Sequence, residues 1–194
     1  MTSRAINKLH SSWLSHTYPF HNIGKNVSLC WPLKLDRSLA RYISIGENVI
    51  IAEGVWINIP EVPSDSRPRI ILDDGCIIGR HSVISAKNQI YIGRNVLFGP
   101  SVLVMDHNHE FADWTTPIKF QGTTPGGTVR IEEGGWIGFG AAIVCNEGDL
   151  VIGRNSVIGA NALVTGSVRS YEVVVGNPGR RVKYFGPSSG VVSN

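Results

Sequence analysis

Cysteine is scarce, and the cysteines present do not form a pattern. The 194-residue chain has three, Cys30, Cys76 and Cys145. They are odd in number, far apart and without CxxC spacing, which argues for buried free thiols and against a disulfide framework or a thiolate zinc site. Charge is thin as well. Charged residues make up 17% and the net charge is +3, and no basic run interleaves with aromatics, so nucleic acid is not indicated as a partner. No apolar run approaches the roughly 18 residues of a membrane span, and the opening MTSRAINKLHSS lacks the apolar stretch of a secretory signal. The expectation is a cytoplasmic protein without an integral membrane segment. With 42% hydrophobic residues the composition is globular, and the length suits one domain.

What charge there is falls unevenly. From Ile152 onward Arg154, Arg169, Arg180, Arg181 and Lys183 face one acid, Glu172, while the preceding residues carry 13 basic and 14 acidic groups. The net positive charge is therefore expected in the C-terminal segment, where it suits a small anionic ligand.

The chain is rich in one feature, a repeat. An aliphatic residue recurs every six positions, at Ile23, Leu29, Leu35; Ile45, Ile51, Ile57; Ile78, Ile84; Ile92, Phe98, Val104; Ile131, Ile137, Ile143; and Ile152, Ile158, Val164. Gly often follows it, as at Gly46, Gly79 and Gly138, and a small or branched residue often falls four places on, as at Val49, Val96 and Ala141. This period fits neither a helix nor one long alternating strand. It fits short strands joined by turns, with each hexad forming one side of a coil, the aliphatic residue inward and a Gly or Asn relieving the corner. Stacked coils then bury a column of side chains that no single coil could bury. The pattern predicts an all-β parallel β-helix.

Three breaks interrupt the register. The step from Ile57 to Ile78 holds the Pro-rich NIPEVPSDSRPR, and the step from Ile143 to Ile152 reads as a short excursion around Cys145–Asp149. The step from Val104 to Ile131 is 27 residues and contains MDHNHEFADWTTPIKFQGTTPGGT. A regular solenoid has little structural reason to carry such a polar, aromatic segment, so residues 105–128 are assigned as the active-site loop.

Asp106-His107-Asn108-His109-Glu110 opens that loop. An imidazole is the usual general base and needs a neighbour to fix its ring, and Asp106, Glu110 and Asp113 are near enough in sequence. On extended backbone His107 and His109 share a face, which also suits a pair of metal ligands. A polar surface loop is the third possibility, and residue chemistry alone leaves all three open. Phe111 and Trp114 are a platform for a sugar ring or packing within the loop. Cys145 has no local histidine to make it a nucleophile, and His81 reads as a turn residue. Asn177-Pro178 reads as the start of a short C-terminal helix ahead of Arg180, Arg181 and Lys183.

The hexads, the loop and the ending VVVGNPGRRVK together resemble the hexapeptide-repeat acyltransferases, near their maltose, galactoside and polysaccharide O-acetyltransferase branch, from Ile23 to Lys183. That resemblance implies a left-handed coil, a homotrimer with sites between subunits, acetyl-CoA as acyl donor and no required metal. In IGRNVLFGPSVLVMDHNH the position matching the branch's catalytic histidine is His109, and Asp106 is assigned to the catalytic set beside it. His107, Phe111 and Trp114 are assigned to the acceptor. Trp136, within IEEGGWIGFGAAIV, matches the family's tryptophan at the donor and acceptor site, and a backbone N–H near Phe139–Gly140 is the implied oxyanion donor. Ala160 in the last coil, with Arg180, Arg181 and Lys183 at the C-terminal exit, is implied to lie against coenzyme A.

The implied activity is O-acetylation of a sugar hydroxyl on a surface-polysaccharide precursor, with N-acetylation of an amino-sugar nucleotide as the alternative. More distant are a zinc protein like the γ-class carbonic anhydrases, using His81, His107 and His109, and a non-catalytic scaffold. Gly79 and Lys87 stand where the sugar acetyltransferases carry a substrate-contacting asparagine and an aspartate, so acceptor specificity does not transfer. Residues 1–22 show no clear match to the family's helical N-terminal segment and have no assigned role; 23–176 are expected to form the repeat domain and 177–194 a basic helix and tail.

Overall fold

A computed structural model of the chain describes residues 3–187. Its strands visit three parallel sheets in turn, so the chain winds as a three-sided coil. The first side stacks Asn22–Ile23, Ile43–Ile45, Ile70–Leu72, Gln89–Ile92, Gly126–Ile131 and Glu147–Ile152. The second runs from Ser28–Leu29 through Ile50–Ile51, Ile77–Ile78, Leu97–Phe98, Trp136–Ile137 and Val157–Ile158 to Glu172–Val175. The third stacks Trp56–Asn58, Val83–Ser85, Leu103–Met105, Ala142–Val144 and Leu163–Val164. The hexad residues fall into register: Ile45 pairs with Leu72, Leu72 with Ile92, and Ile131 with Ile152. Ile84, Val104 and Ile143 align likewise on the third side. All of these are buried, which makes the interior one continuous aliphatic column.

The corners use two devices. Asn26, Asn48, Asn95, Asn155 and Asn161 take up the left-handed backbone (φ 51–57°), which Asn tolerates better than most residues. The glycine just after the hexad residue serves instead for close approach. A Cβ on Gly79 would lie 2.1 Å from the carbonyl oxygen of Gly99 in the next turn.

Two expectations need correction. Cys145–Asp149 is no excursion: Glu147–Ile152 is one six-residue strand paired in register with Gly126–Ile131. The three extra residues in each of these two turns pair with each other, so both register breaks come from one widening of the sheet. The C-terminal segment is not helical. Residues 176–179 form a turn with Gly176 at φ +91°, and Arg180–Tyr184 returns as a strand antiparallel to Glu172–Val175. An Asn-Pro-Gly sequence serves a reverse turn better than a helix start, and residues 188–194 lie outside the described part.

The N-terminal segment is an α-helix, α1 (Ser3–Thr17), lying over the open end of the coil. Leu14 is buried, the Leu29 N–H donates to Ser11 Oγ (2.7 Å) and Ser11 Oγ donates to the Leu29 carbonyl (3.1 Å). The Trp31 N–H donates to Asn7 Oδ1 (3.2 Å). These bonds satisfy backbone groups that an edge strand would otherwise present. None of the described helices is long and apolar enough to cross a membrane.

Candidate active site

The segment expected to form the active-site loop leaves the coil at the corner between the third and first sides. Asp106, its first residue, is completely buried. Its Oδ1 accepts the Lys87 N–H (2.7 Å) and faces His107 Nδ1 (2.9 Å), and its Oδ2 accepts the Asn88 N–H (2.8 Å). One carboxylate thus caps the corner of the preceding turn and fixes a histidine ring. That ring belongs to His107, not His109: Asp106 points into the coil, and only the adjacent ring is within its reach. A carboxylate acceptor requires the proton on His107 Nδ1, and His107 is itself buried.

His109 is exposed. Its N–H donates to Asn108 Oδ1 (2.9 Å), and its backbone bridges antiparallel to Thr123. Among the described residues nothing hydrogen-bonds its ring. Glu110 accepts the Phe111 N–H (3.2 Å). Asp113 is occupied by Thr115 and Thr116, which hold its carboxyl down to about 2. Neither carboxylate is therefore an orienter of His109 here.

The segment is a hairpin arm rather than an irregular loop. The Gly127 N–H donates to the Asp106 carbonyl (2.7 Å), Thr124 N–H to Asn108 (2.8 Å) and Glu110 N–H to Gly122 (3.1 Å). Gly126 (φ +75°) passes so close to Asp106 that a Cβ there would lie 2.4 Å from its carbonyl oxygen. The tip projects Phe111, Trp114, Ile118 and Phe120; Trp114 is 92% exposed, so it does not pack within its own loop.

A cluster that sequence reasoning missed holds the arm down. Lys87 Nζ donates to Thr123 Oγ1 (2.7 Å) and the Thr124 carbonyl (2.9 Å), and it pairs with Glu61 Oε1 (3.0 Å). Thr123 Oγ1 also donates to Glu61 (2.7 Å). Glu61 comes from the Pro-rich break after Asn58, so the two excursions are fastened through the corner between them. The only sequence signal was Lys87 itself, at a position where the resembling enzymes carry an acid. Lys87→Met should leave the fold intact but loosen the return strand of the arm. The expected result is faster amide hydrogen exchange across residues 108–124, with exchange in the coil unchanged; equal exchange in both proteins would show that the staple is idle.

The remaining assigned residues lie elsewhere. Trp136 is half exposed on the outer face of the second side, and Phe139 and Ala160 occupy successive turns of the corner between the second and third sides. The Gly140 N–H already donates to the Pro100 carbonyl (3.0 Å). Among the described residues the Phe139 N–H has no acceptor in the chain, so of these two amides only that one is free. In a three-sided coil the second side lies opposite the corner from which the arm springs, so one chain does not bring His109 to Trp136. Arg180 and Arg181 line a polar groove at the C-terminal end with Thr165 and Ser167, and Lys183 is exposed beside it. Arg181 pairs with Glu172 (3.3 Å).

Burial pushes the Cys76 thiol up to about 12 and raises that of Cys145 as well, which suits inert core thiols. His81 is a corner residue at φ +58°, on a different corner from His107 and His109. Among the described residues no three His, Cys, Asp or Glu side chains converge as metal ligands.

No family model matches the chain. A Mycobacterium tuberculosis protein named as an acetyltransferase is 36% identical over 110 residues, 57% of this chain and 35% of its own length. An Escherichia coli protein named for O-acetyl transfer in lipopolysaccharide biosynthesis is 25% identical over 149 residues, 74% of this chain and 72% of its own. The galactoside O-acetyltransferase of Lactococcus lactis is 27% identical over 137 residues, 71% of this chain and 60% of its own. The match thus spans about a third of the first relative and larger shares of the others. In fold, the chain superposes on the Bacillus cereus N-acyltransferase AntD, bound to coenzyme A and dTDP-4-amino-4,6-dideoxyglucose, with TM-score 0.73 at 20% identity over 91% of this chain and 89% of that one. A hexapeptide-repeat acetyltransferase of Vibrio cholerae, complexed with acetyl-CoA, gives TM-score 0.57 at 19% identity over 91% and 76%.

Proposed function

Because the chain matches the hexapeptide-repeat acyltransferases in its repeat, its fold and its curated relatives, we propose that it transfers an acetyl group from acetyl-CoA to a sugar hydroxyl with His109 as general base. The acceptor class is a surface-polysaccharide precursor, and the reaction is cytoplasmic. The observation that carries the reading is the His109 ring, unengaged and exposed on an arm with a fastened root. A base must keep a nitrogen free for its substrate while its backbone is held.

The chemistry follows from the groups present. His109 takes the proton of the acceptor hydroxyl as its oxygen attacks the thioester carbonyl, forming the new C–O bond. The oxygen of the tetrahedral intermediate gains negative charge, and the Phe139 N–H is the donor available for it. Collapse breaks the C–S bond, and the proton passes from His109 to the departing thiolate. Trp136 and Phe139 flank the acyl end, and Arg180, Arg181 and Lys183 meet the phosphates.

His109 and Phe139 lie on opposite parts of one coil, so the reading requires neighbouring copies to complete each site. A left-handed coil in a homotrimer meets that need. The second side supports such packing: outward residues Ile50, Ile77, Leu97 and Trp136 are stacked in register, large and exposed. Phe111 and Trp114 on the arm tip are then placed to cover the acceptor.

Calorimetric titration with acetyl-CoA should give saturable binding near one molecule per chain, and a panel of sugars should yield a product heavier by one acetyl group. Absence of binding at millimolar donor would sink the reading. A second reading, N-acetylation of an amino-sugar nucleotide, is favoured by the ligand bound to AntD. Mild base separates the two, since it removes an O-acetyl ester and leaves an amide.

A further inference from the structure

The flank of α1 is an apolar ledge that nothing among the described residues covers. Its inward face is occupied by Asn7, Ser11 and Leu14, which close the first turn of the coil. Beside that face Ile6, Leu9 and Trp13, spaced three and four apart, are 44%, 61% and 56% exposed, forming one stripe along the helix. Trp31 at the corner of the first turn is 59% exposed. The His10 ring bridges helix and corner, edge-on to Trp31 at 5.1 Å and 6.4 Å from Trp13. Together they line one open groove.

The segment that builds this end of the coil is predominantly cationic. The first 46 residues carry Arg4, Lys8, Lys25, Lys34, Arg37 and Arg41 against Asp36 alone. Lys8, Lys25, Lys34, Arg37 and Arg41 are exposed, and among the described residues none of these five is in an ion pair. Residues 47–151 reverse the balance, with seven basic and 13 acidic groups. The positive excess is therefore not confined to the C-terminal segment, as the sequence had indicated; both ends of the coil are cationic around an acidic middle.

We propose that this N-terminal end docks on an anionic lipid surface, with Leu9, Trp13 and Trp31 entering the headgroup boundary and the exposed cations of the same end meeting lipid phosphates. Tryptophan and leucine together with lysines outside any ion pair are what such a boundary accommodates, and each basic residue near it adds to the attraction. A second copy docked by the same end is disfavoured, because two cationic ends would face each other. The C-terminal end is not equivalent, since Arg181 is engaged by Glu172. In a cyclic trimer all three ledges would point the same way, and their attachments would reinforce one another. The docking does not require the acetyl transfer to be correct.

Sedimentation of the full chain with vesicles tests it. Binding to vesicles of one part phosphatidylglycerol to three of phosphatidylcholine should exceed binding to phosphatidylcholine alone by about tenfold or more, and fall as salt approaches about 1 M. The double variant Leu9→Ser, Trp13→Ser should lose about tenfold or more of that partition, with unchanged mass by light scattering. Lys8→Glu with Lys25→Glu should weaken binding to the anionic vesicles only. Equal partition onto both vesicle types, or no loss in the serine variant, would overturn the proposal. So would a fall in mass in the serine variant, which would assign the ledge to a second copy.

Discussion

His109→Ala should lower acetyl transfer by about 10²–10⁴-fold while acetyl-CoA binding changes less than about twofold, because a positioned general base contributes on that scale and the donor's contacts lie elsewhere. The ring makes no hydrogen bond among the described residues and is exposed, so its removal should cost no appreciable stability. That makes the variant a clean test: a lost rate can be assigned to the base rather than to unfolding. Steady-state rates with saturating donor, paired with calorimetry, give both quantities. Retained turnover would remove His109 from the mechanism and shift attention to His107, the imidazole that carries a carboxylate partner. The same experiment on His107→Asn should instead lower stability, since His107 is buried against Asp106.

Asp106→Ala is expected to be the most destabilising single change in the site. The carboxylate is fully buried and serves two backbone N–H groups and the His107 ring. Truncation leaves three donors facing a cavity, and each unsatisfied buried polar group costs about 1–3 kcal/mol. A loss of about 3–5 kcal/mol should lower the melting temperature by about 10 °C, given about 2–4 °C per kcal/mol for a chain of this size. Asp106→Asn should cost less, because one oxygen remains to accept while the amide brings a donor against donors. Thermal unfolding followed by circular dichroism measures both. A shift under about 2 °C for Asp106→Ala would mean that the corner rearranges or admits water and that Asp106 does not anchor the arm.

The residues of the site were legible to different depths. His109 could be picked out because the DHNH segment follows directly on a core hexad and interrupts a repeat. Which histidine Asp106 holds could not be picked out, since that depends on Asp106 turning inward at a corner. The staple of Glu61, Lys87 and Thr123 joins three segments far apart in sequence, and no local pattern marks it. The role of α1 was also hidden, because covering an edge is a function that exists only beside the strand that is covered. The cationic N-terminal end, by contrast, is countable from the sequence, but the acidic residues 47–151 cancel it in any sum over the first 151 residues.

By itself the sequence determined the coil. A six-residue aliphatic period has one economical solution, and each inward position repeats the same local demand, so the register of six turns could be read without any long-range knowledge. The tertiary structure alone decided what happens where the repeat stops. There the chain's course depends on groups brought together from separate turns: Asp106 on the Lys87–Asn88 corner, residues 147–149 pairing with 126–128, and the terminal strand folding back where a helix was expected. Those contacts are non-local, and a non-local contact leaves no period in the sequence to read.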